Sequence, residues 1–238
     1  MKKLIVTTCL LSTACLRGTQ EPITEPRDIP SKEQRRFNWA VEQDDQAVLF
    51  EWAKNETESD YHSTAVDYIH DQTLLVDLAK NSKHKIVRYK AVRKLNDQTS
   101  LEIVFENDDD SEVREVALLK IKNQTLLTNI VKNNENSRLR AIAAEGLEDK
   151  NLLSETAKND ADDWVRLIAA IKINEQTIIT EIAKNGKSIL SRRNAISHIV
   201  DETLLADFAK NDKNEVVRSE ASRKLNELKK KTEEEEKK

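Results

Sequence analysis

A 26-residue repeat dominates the sequence and limits the folds that it can adopt. The segment Asp71-Gln72-Thr73-Leu74-Leu75 returns as Asn123-Gln124-Thr125-Leu126-Leu127 and as Asp201-Glu202-Thr203-Leu204-Leu205, always at a multiple of 26 residues. Seven units without insertion or deletion span 45–70, 71–96, 97–122, 123–148, 149–174, 175–200 and 201–226. A short unit that recurs in register is typical of a solenoid, in which each unit packs only on its neighbours.

Each unit carries two sets of apolar residues with helical spacing. Position 5 of the unit is aliphatic in all seven copies, and position 8 is large and apolar in all but one, where Thr156 stands. Positions 17, 21 and 25 form a second stripe at intervals of four residues. Because these intervals place each set on one face of a helix, the unit is predicted to be a pair of short helices.

Position 21 is the most informative column, because it is alanine in every copy. These alanines are Ala65, Ala91, Ala117, Ala143, Ala169, Ala195 and Ala221. A small residue in the middle of each second helix predicts that neighbouring helices approach closely, since a larger side chain would overpack the contact.

The turn between the two helices contains an asparagine at position 11 of all copies. We expect this asparagine to adopt the left-handed conformation that closes the first helix. We expect the polar residue at position 12, such as Asp108 or Asp212, to cap the second helix. Proline is absent after Pro30, and the chain has only three glycines. An all-β sandwich or barrel, which needs many such turn residues, is therefore strongly disfavoured.

These patterns predict an all-α fold, an α-solenoid of seven two-helix units that we expect to be monomeric. Residues 31–44, with Phe37 and Trp39, are predicted to form a helix that caps the apolar side of the first unit. Residues 227–238 are a highly charged tail that extends the last helix.

The second helix of the unit resembles the signature of HEAT repeats. In the last unit, Asp212 precedes Val217-Arg218, which is followed by Ala221 and a closing Leu225. The arrangement recurs at Val87-Arg88 with Ala91 and Leu95, at Val113-Arg114 with Ala117, and at Val165-Arg166 with Ala169 and Ile173. The resemblance covers residues 45–226 and implies an armadillo-like stack of helix pairs. The unit is shorter than a usual HEAT unit and lacks its first-helix proline.

An arginine column follows from the same resemblance. It consists of Arg88, Arg114, Arg140, Arg166, Arg192 and Arg218, and the first unit has His62 instead. In HEAT-like folds this arginine is usually structural, which implies a bond to an acidic or asparagine group of the neighbouring unit. A guanidinium suits such a ladder because it presents several donors in a fixed fork. The alternative is a row of anion-binding arginines along a groove.

The N-terminus has the organisation of a bacterial export signal. A short basic segment precedes an apolar run, residues 4–11, that is too short to span a bilayer. Small residues follow, and Leu11-Ser12-Thr13-Ala14-Cys15 resembles the lipobox, in which the cysteine becomes the lipidated first residue. The sequence therefore predicts a signal peptide over 1–14 and a lipidated Cys15 with a flexible tether over 15–30.

This resemblance implies an exported protein of a bacterial cell envelope, lipid-anchored to a membrane on its periplasmic or surface face. A plain secretory peptide with an incidental cysteine is the alternative, and Val6-Thr7-Thr8-Cys9 is a weaker second lipobox. Cys9 and Cys15 are the only cysteines, so an acylated mature chain would need no disulfide.

The sequence shows no recognisable catalytic, cofactor-binding or metal-binding pattern. Its four histidines form no pair at i, i+4 and no ligand set with cysteine. Glu115 and Glu145 have no histidine or cysteine beside them. The net charge is −4, and removal of the two lysines of the signal peptide would make it −6, which disfavours nucleic acid as a partner. We therefore expect a non-enzymatic protein without a cofactor or metal.

Positions 19 and 23 of the second helix carry the remaining functional signal. In HEAT-like stacks this helix usually lines the concave side, and the middle units have an apolar group there that Glu145 interrupts. The candidate contact residues are Leu119, Ala141, Glu145, Leu167 and Ile171, with Tyr89 and Arg93 beside them. An apolar patch inside a polar rim is typical of a protein-binding surface. The alternative, slightly favoured by the interruption, is that local curvature buries these aliphatic side chains in the core.

These features favour a membrane-anchored scaffold that binds a protein or peptide of unknown identity. The alternative function is that of a HEAT-like lyase or regulatory subunit acting on a cofactor-bearing or enzyme partner. That role requires a polar catalytic cluster on the concave face, and the sequence supplies none. Nucleic-acid binding of the kind found in HEAT-like DNA glycosylases is disfavoured by export and acidity.

Overall fold

A computed structural model describes residues 31–54 and 61–236. The predicted signal peptide, lipidated cysteine and tether, residues 1–30, lie outside the described residues, as do 55–60 and 237–238. Within the described ranges all regular structure is helical. The helices are α1 (Lys32–Glu42), α2 (Gln46–Lys54), α3 (Tyr61–Tyr68), α4 (Gln72–Asn81), α5 (Lys85–Lys94), α6 (Gln98–Asn107), α7 (Ser111–Leu118), α8 (Gln124–Asn133), α9 (Ser137–Gly146), α10 (Lys150–Asn159), α11 (Asp163–Lys172), α12 (Gln176–Asn185), α13 (Ile189–Ser197), α14 (Glu202–Asn211) and α15 (Glu215–Glu236).

Helices α2 to α15 form successive pairs, one pair for each repeat unit in the described part of the chain. The two helices of a pair pack together, and each second helix also packs on the second helices before and after it. Successive first helices touch one another far less. The second helices therefore form the inner layer of the stack and the first helices the outer layer. The arrangement confirms the prediction of an all-α solenoid.

The alanine column lies at the contacts between units. All seven alanines are fully buried, and the aliphatic residues at position 5 are buried with them in one continuous core. Thr156, the polar exception at position 8, is also buried. Its Oγ1 donates a hydrogen bond of 2.8 Å to the Leu152 carbonyl, which satisfies the hydroxyl within its own helix.

Helix α1 covers the apolar side of the first unit. Phe37 and Ala40 are the buried residues of α1, which packs on α2. The Phe37 ring lies 5.7 Å from the ring of Trp52, 5.0 Å from that of Tyr61 and 6.1 Å from that of Tyr68, between centroids. Aromatic contacts of this kind stabilise a fold by more than the apolar area that they bury. They attach α1 to the first unit through one face of the helix.

The turn between the two helices of a unit differs from the prediction at two positions. The six described asparagines of position 11 are not left-handed, since Asp44 and Asn174 are the only described residues other than glycine with positive φ, and Asn55 lies outside the described residues. Asn81, for example, remains helical and donates to the Asp77 carboxylate one turn earlier, at 2.6 Å. Most of the described second helices are capped from position 14, as at Asp110, which accepts the amides two and three residues ahead, but His84 makes no such bond. Where position 12 is aspartate, its side chain binds the arginine of the preceding unit instead.

The glutamine of the repeated motif closes the turn from one unit to the next. The Gln98 side chain donates to the Lys120 carbonyl at 3.2 Å and accepts the Lys122 amide at 2.8 Å. Equivalent pairs of bonds are made by Gln46, Gln72 and Gln124. Each glutamine thus joins the start of its unit's first helix to the end of its second helix.

A lysine at position 24 links successive second helices. The Lys120 ammonium donates to the Val92 carbonyl at 3.2 Å and to the Arg93 carbonyl at 2.6 Å, and Lys94 binds the preceding helix in the same way. Burial lowers the pKa of Lys94 and Lys120. These contacts satisfy carbonyls that a helix end would otherwise leave without partners.

The arginine column at position 18 bonds one unit to the next. Arg88 donates from Nε and Nη2 to the two carboxylate oxygens of Asp108 at 2.7 and 3.1 Å, and from Nη1 to the Ser82 carbonyl at 3.0 Å. Arg140 makes the same fork with Asp160, at 2.9 and 2.8 Å. These bonds favour the structural interpretation of the column over a row of anion-binding arginines.

Arginine–aspartate pairs join the units two by two. Aspartate occurs at position 12 in units three, five and seven, and Arg192 pairs with the last of these, Asp212, through Nη2 alone while its Nε donates to the Ala183 carbonyl. Unit four has Asn134 and unit six has Gly186 at that position. Arg114 and Arg218 donate to the carbonyls of Asp108 and Asp212 in their own units. Arg166 donates to the Ala157 carbonyl of its own unit and to the Glu181 carboxylate of unit six, at 2.7 Å.

Replacement of Asp160 by asparagine tests the contribution of this ladder. Burial opposes ionisation of the Asp160 carboxyl, but the hydrogen bonds from Arg140 and from the Asp162 amide outweigh it and lower its pKa. The folded-state pKa therefore lies below the unfolded value of about 3.9. The carboxylate stabilises the fold above that pH, and its contribution is lost as the pH falls through the folded-state pKa. Asp160→Asn should lower the free energy of unfolding by about 1–3 kcal/mol at pH 7.

The measurement is urea unfolding of wild type and variant between pH 7 and pH 3, in which the two should converge as the pH falls. The control is Asp109→Asn, at an exposed position of the equivalent turn of unit three, for which we expect a change within about 0.5 kcal/mol. A difference between wild type and Asp160→Asn that is the same at every pH would contradict the role of the carboxylate.

Candidate protein-binding groove

A groove runs across the second helices α5, α7, α9 and α11. It has a volume of about 640 Å³ and lies on the face of these helices that points away from the first-helix layer. It is lined by Tyr89, Glu112, Glu115, Val116, Leu119, Arg138, Ala141, Ile142, Glu145, Trp164 and Ile168. In the following, "the groove" means this set of residues.

The apolar part of the groove is accessible from solvent. The Leu119 side chain is 56% exposed and Trp164 is 38% exposed. Val116, Ile142 and Ile168 are half-buried between them, and Ala141 lies buried at the floor. Large exposed apolar side chains that share one concavity are a feature of binding surfaces rather than of scattered surface residues.

Charged residues form the edge of the groove. The Glu115 carboxylate pairs with Arg138 at 2.6 Å, across the boundary between α7 and α9. Glu112 pairs with Lys85 at 2.9 Å. Glu145 is exposed and takes part in no ion pair among the described residues. Two of the three carboxylates at the edge are thus paired with a cation, and Glu145 leaves the edge with a net negative charge.

The groove contains four of the candidate contact residues that the sequence indicates. Leu119, Ala141, Glu145 and Tyr89 line it, and Arg93 lies outside it with its guanidinium 5.9 Å from the centre of the Tyr89 ring.

One of the predicted contact residues belongs to the interior. Leu167 is 0% exposed and therefore cannot touch a partner, so its assignment to the surface is wrong and the alternative of burial describes it. Ile171 is half-buried against the core and does not line the groove.

The predicted and the observed exposed faces differ because the second helix has a further buried column. This column is the sixth of the unit, and the predicted stripe at positions 17, 21 and 25 does not include it. Position 22 is buried in every unit but the last, at Val66, Val92, Leu118, Ala144, Ala170 and Ile196. At 100° per residue this column rotates the centre of the exposed face by roughly 40°, from positions 19 and 23 towards position 16.

Sequence reasoning therefore missed several residues of the groove, most of them at positions 16 and 20. These residues are Glu112, Glu115, Val116, Arg138, Ile142, Trp164 and Ile168. A signal for them existed, because position 16 carries a large apolar residue in four units, Ile86, Trp164, Leu190 and Val216. All four are among the exposed large apolar side chains.

The histidines and carboxylates do not assemble a group that could hold a metal ion in the described part of the chain. The His62 and His84 rings lie 5.6 Å apart in an edge-on contact, and burial together with His84 lowers the pKa of His62. This pair lies where the first unit has histidine in the arginine column and is separate from the groove. None of the described helices is both long and apolar enough to cross a membrane.

Comparisons with models of known protein families, with curated proteins and with solved structures gave no match to this chain.

A pair of leucine-to-alanine variants checks the assignment of surface and core. Leu167→Ala should lower the free energy of unfolding by about 2–5 kcal/mol, because it leaves a cavity in the core. Leu119→Ala, on the exposed wall of the groove, should change it by no more than about 0.5 kcal/mol. Urea unfolding of both variants gives the comparison. Equal destabilisation would contradict the burial that the structure assigns to the two leucines.

Proposed function

We propose that the chain is a non-enzymatic binding protein that holds a protein or peptide segment in the groove of α5, α7, α9 and α11. The observation that carries the proposal is the exposed apolar surface around Leu119 and Trp164, bounded by charged side chains. Binding energy at protein interfaces is concentrated in central apolar and aromatic contacts inside a polar rim. The groove has this composition and is built on packed helices, which pre-organise it.

The chemistry of the groove indicates the kind of segment it would hold. An apolar side chain of the partner would pack on Trp164, Ile142 and Leu119. A lysine or arginine beside it would meet the exposed Glu145, because the edge carries more carboxylates than cations. The partner is therefore proposed to present an apolar anchor next to a basic residue.

The residues of the groove suit binding better than catalysis. The described residues that line the groove include no histidine or cysteine, and Glu112 and Glu115 are each bound by a cation. The non-enzymatic proposal therefore takes precedence over a lyase or regulatory enzyme subunit. HEAT-like ancestry is proposed on the two-helix unit and on the arginine fork between units, both of which accord with the sequence signature.

We further propose that the protein is exported and anchored in the envelope through a lipid on Cys15. The proposal is supported by the basic, apolar and small-residue order of the first fifteen residues. In the mature chain the segment from Cys15 to Pro30 would join the lipid to α1. The solenoid is proposed to act there as a monomer.

Affinity capture from the producing cells tests the groove. The chain should retain a partner protein that Leu119→Glu loses by at least tenfold, since a charge would be buried at the centre of the contact. The matched control is Ile103→Glu, which changes a 40% exposed residue of a first helix outside the groove. Equal retention of the partner by wild type, Leu119→Glu and Ile103→Glu would contradict the proposal.

Metabolic labelling with radioactive palmitate tests the anchor. Label should enter the wild-type chain and Cys9→Ala, but not Cys15→Ala, because only the Cys15 thiol would be acylated. Equal labelling of wild type and Cys15→Ala would contradict the anchor at Cys15. Loss of label in Cys9→Ala alone would assign it to the second lipobox.

A further inference from the structure

Helix α1 carries an unusual stripe on its exposed face. Lys32, Arg35, Arg36 and Trp39 follow one another at the i, i+3, i+4, i+7 spacing that places side chains on one side of a helix. All four residues are exposed, and Trp39 is 53% exposed. With Val48 of α2 they line a shallow depression of about 300 Å³. We call these four residues the α1 stripe.

The stripe is separate from the contacts that attach α1 to the solenoid. Those contacts are made through Phe37 and Ala40, on the opposite face of the helix. Trp39 is thus a large aromatic residue that the described structure leaves on the surface. Its exposure has no explanation in the packing of the cap.

The charge of the stripe contrasts with that of the whole chain. It presents three cations on a protein whose net charge is −4. The described side chains that line the depression beside Trp39 include no acid. Glu33 and Glu51 lie in the neighbouring depression, on the other side of Lys32 and Arg36. The face around Trp39 is therefore locally basic.

We propose that the α1 stripe docks on an anionic bilayer surface. Tryptophan is favoured at the boundary between lipid headgroups and hydrocarbon, where its ring is half apolar and its N–H can hydrogen-bond. Lysine and arginine beside it would pair with the lipid phosphates. This combination is typical of helices that lie in a membrane interface.

A bilayer fits the stripe better than an acidic protein does. A stable protein interface buries about 800 Å² on each partner, which is more than a single stripe on an eleven-residue helix offers. A lipid surface adapts to a small convex patch and needs only charge and one interfacial side chain. Charge complementarity and the exposed tryptophan therefore both favour lipid.

The position of α1 in the chain agrees with docking on a bilayer. Ser31 lies sixteen positions after Cys15, a length that spans at most about 55 Å when extended. A lipid at Cys15, which belongs to the proposed function, would hold the stripe within that distance of the bilayer.

Tryptophan fluorescence of the full chain tests docking independently of the lipid. The test chain carries Cys15→Ala and cannot be acylated there, so its result does not depend on the lipid anchor. One version retains only Trp39 (Trp52→Phe and Trp164→Phe). A second version retains only Trp164 (Trp39→Phe and Trp52→Phe) and reports on the distant groove. Each is titrated with phosphatidylglycerol vesicles and with phosphatidylcholine vesicles.

We expect the emission of Trp39 to shift to shorter wavelength with phosphatidylglycerol vesicles and that of Trp164 to stay unchanged. Lys32→Gln with Arg35→Gln and Arg36→Gln should raise the lipid concentration needed for the Trp39 shift at least tenfold, since each cation contributes about fivefold near an anionic surface. The matched control is Lys229→Gln with Lys230→Gln and Lys231→Gln, which removes three neighbouring cations from the tail and should leave the titration unchanged.

All versions of the chain contain residues 1–14, so a difference between two versions reports on the α1 stripe. Thermal unfolding in the absence of lipid verifies that the triple variants remain folded. An unchanged Trp39 spectrum while the protein sediments with the vesicles would overturn the proposal and leave an acidic protein as the occupant. An equal shift with both kinds of vesicle, or a shift that the stripe variant retains, would also overturn it.

Discussion

The packing of each second helix on the second helices before and after it is the contact on which the other features of this solenoid depend. Ala143 of α9 and Ala169 of α11 are fully buried in the shared core, which a larger side chain would overpack. The same packing brings lysine side chains within reach of carbonyls on the preceding helix, as Lys120 shows. It also leaves the outer first helices spread apart, which gives the stack an inner and an outer layer and places the groove on the inner one.

The groove lies over the junction between units three and four, which no arginine–aspartate pair bridges. Units three and four meet at α7 and α9, where Asn134 stands in place of the aspartate that binds Arg88 or Arg140 in the forked junctions. A pair between the exposed Arg138 and the half-buried Glu115 bridges this junction instead. Solvent-accessible pairs contribute little to stability, whereas removal of one partner of a largely buried pair is strongly destabilising. The candidate binding surface therefore coincides with one of the less constrained contacts along the stack.

The sequence predicted the helix pairs and the core columns because these are set by spacing within a 26-residue unit. It predicted the exposed face less well, because that face depends on how units rotate against one another. Position 22 shows the limit. Val92 and Leu118 suggest a buried column, but Ala144 and Ala170 are small enough to fit either side of a helix. The sequence pattern alone therefore assigns Leu167 to the surface and does not single out Trp164, whereas the structure buries Leu167 and exposes Trp164.

One face of a helix can pack on the core while another lies on the surface. One small solenoid could therefore hold two separate binding surfaces. Phe37 attaches α1 to the first unit while Trp39 points away from it, and Leu167 stabilises α11 while Trp164 lines the groove. At about 9 Å for each helix layer, the cap and the groove are separated by roughly 20 Å or more. A solenoid transmits stability only between neighbouring units, so changes on the α1 stripe should leave the groove intact. With the cap on a bilayer, the proposed partner site would be held at a fixed height above the membrane.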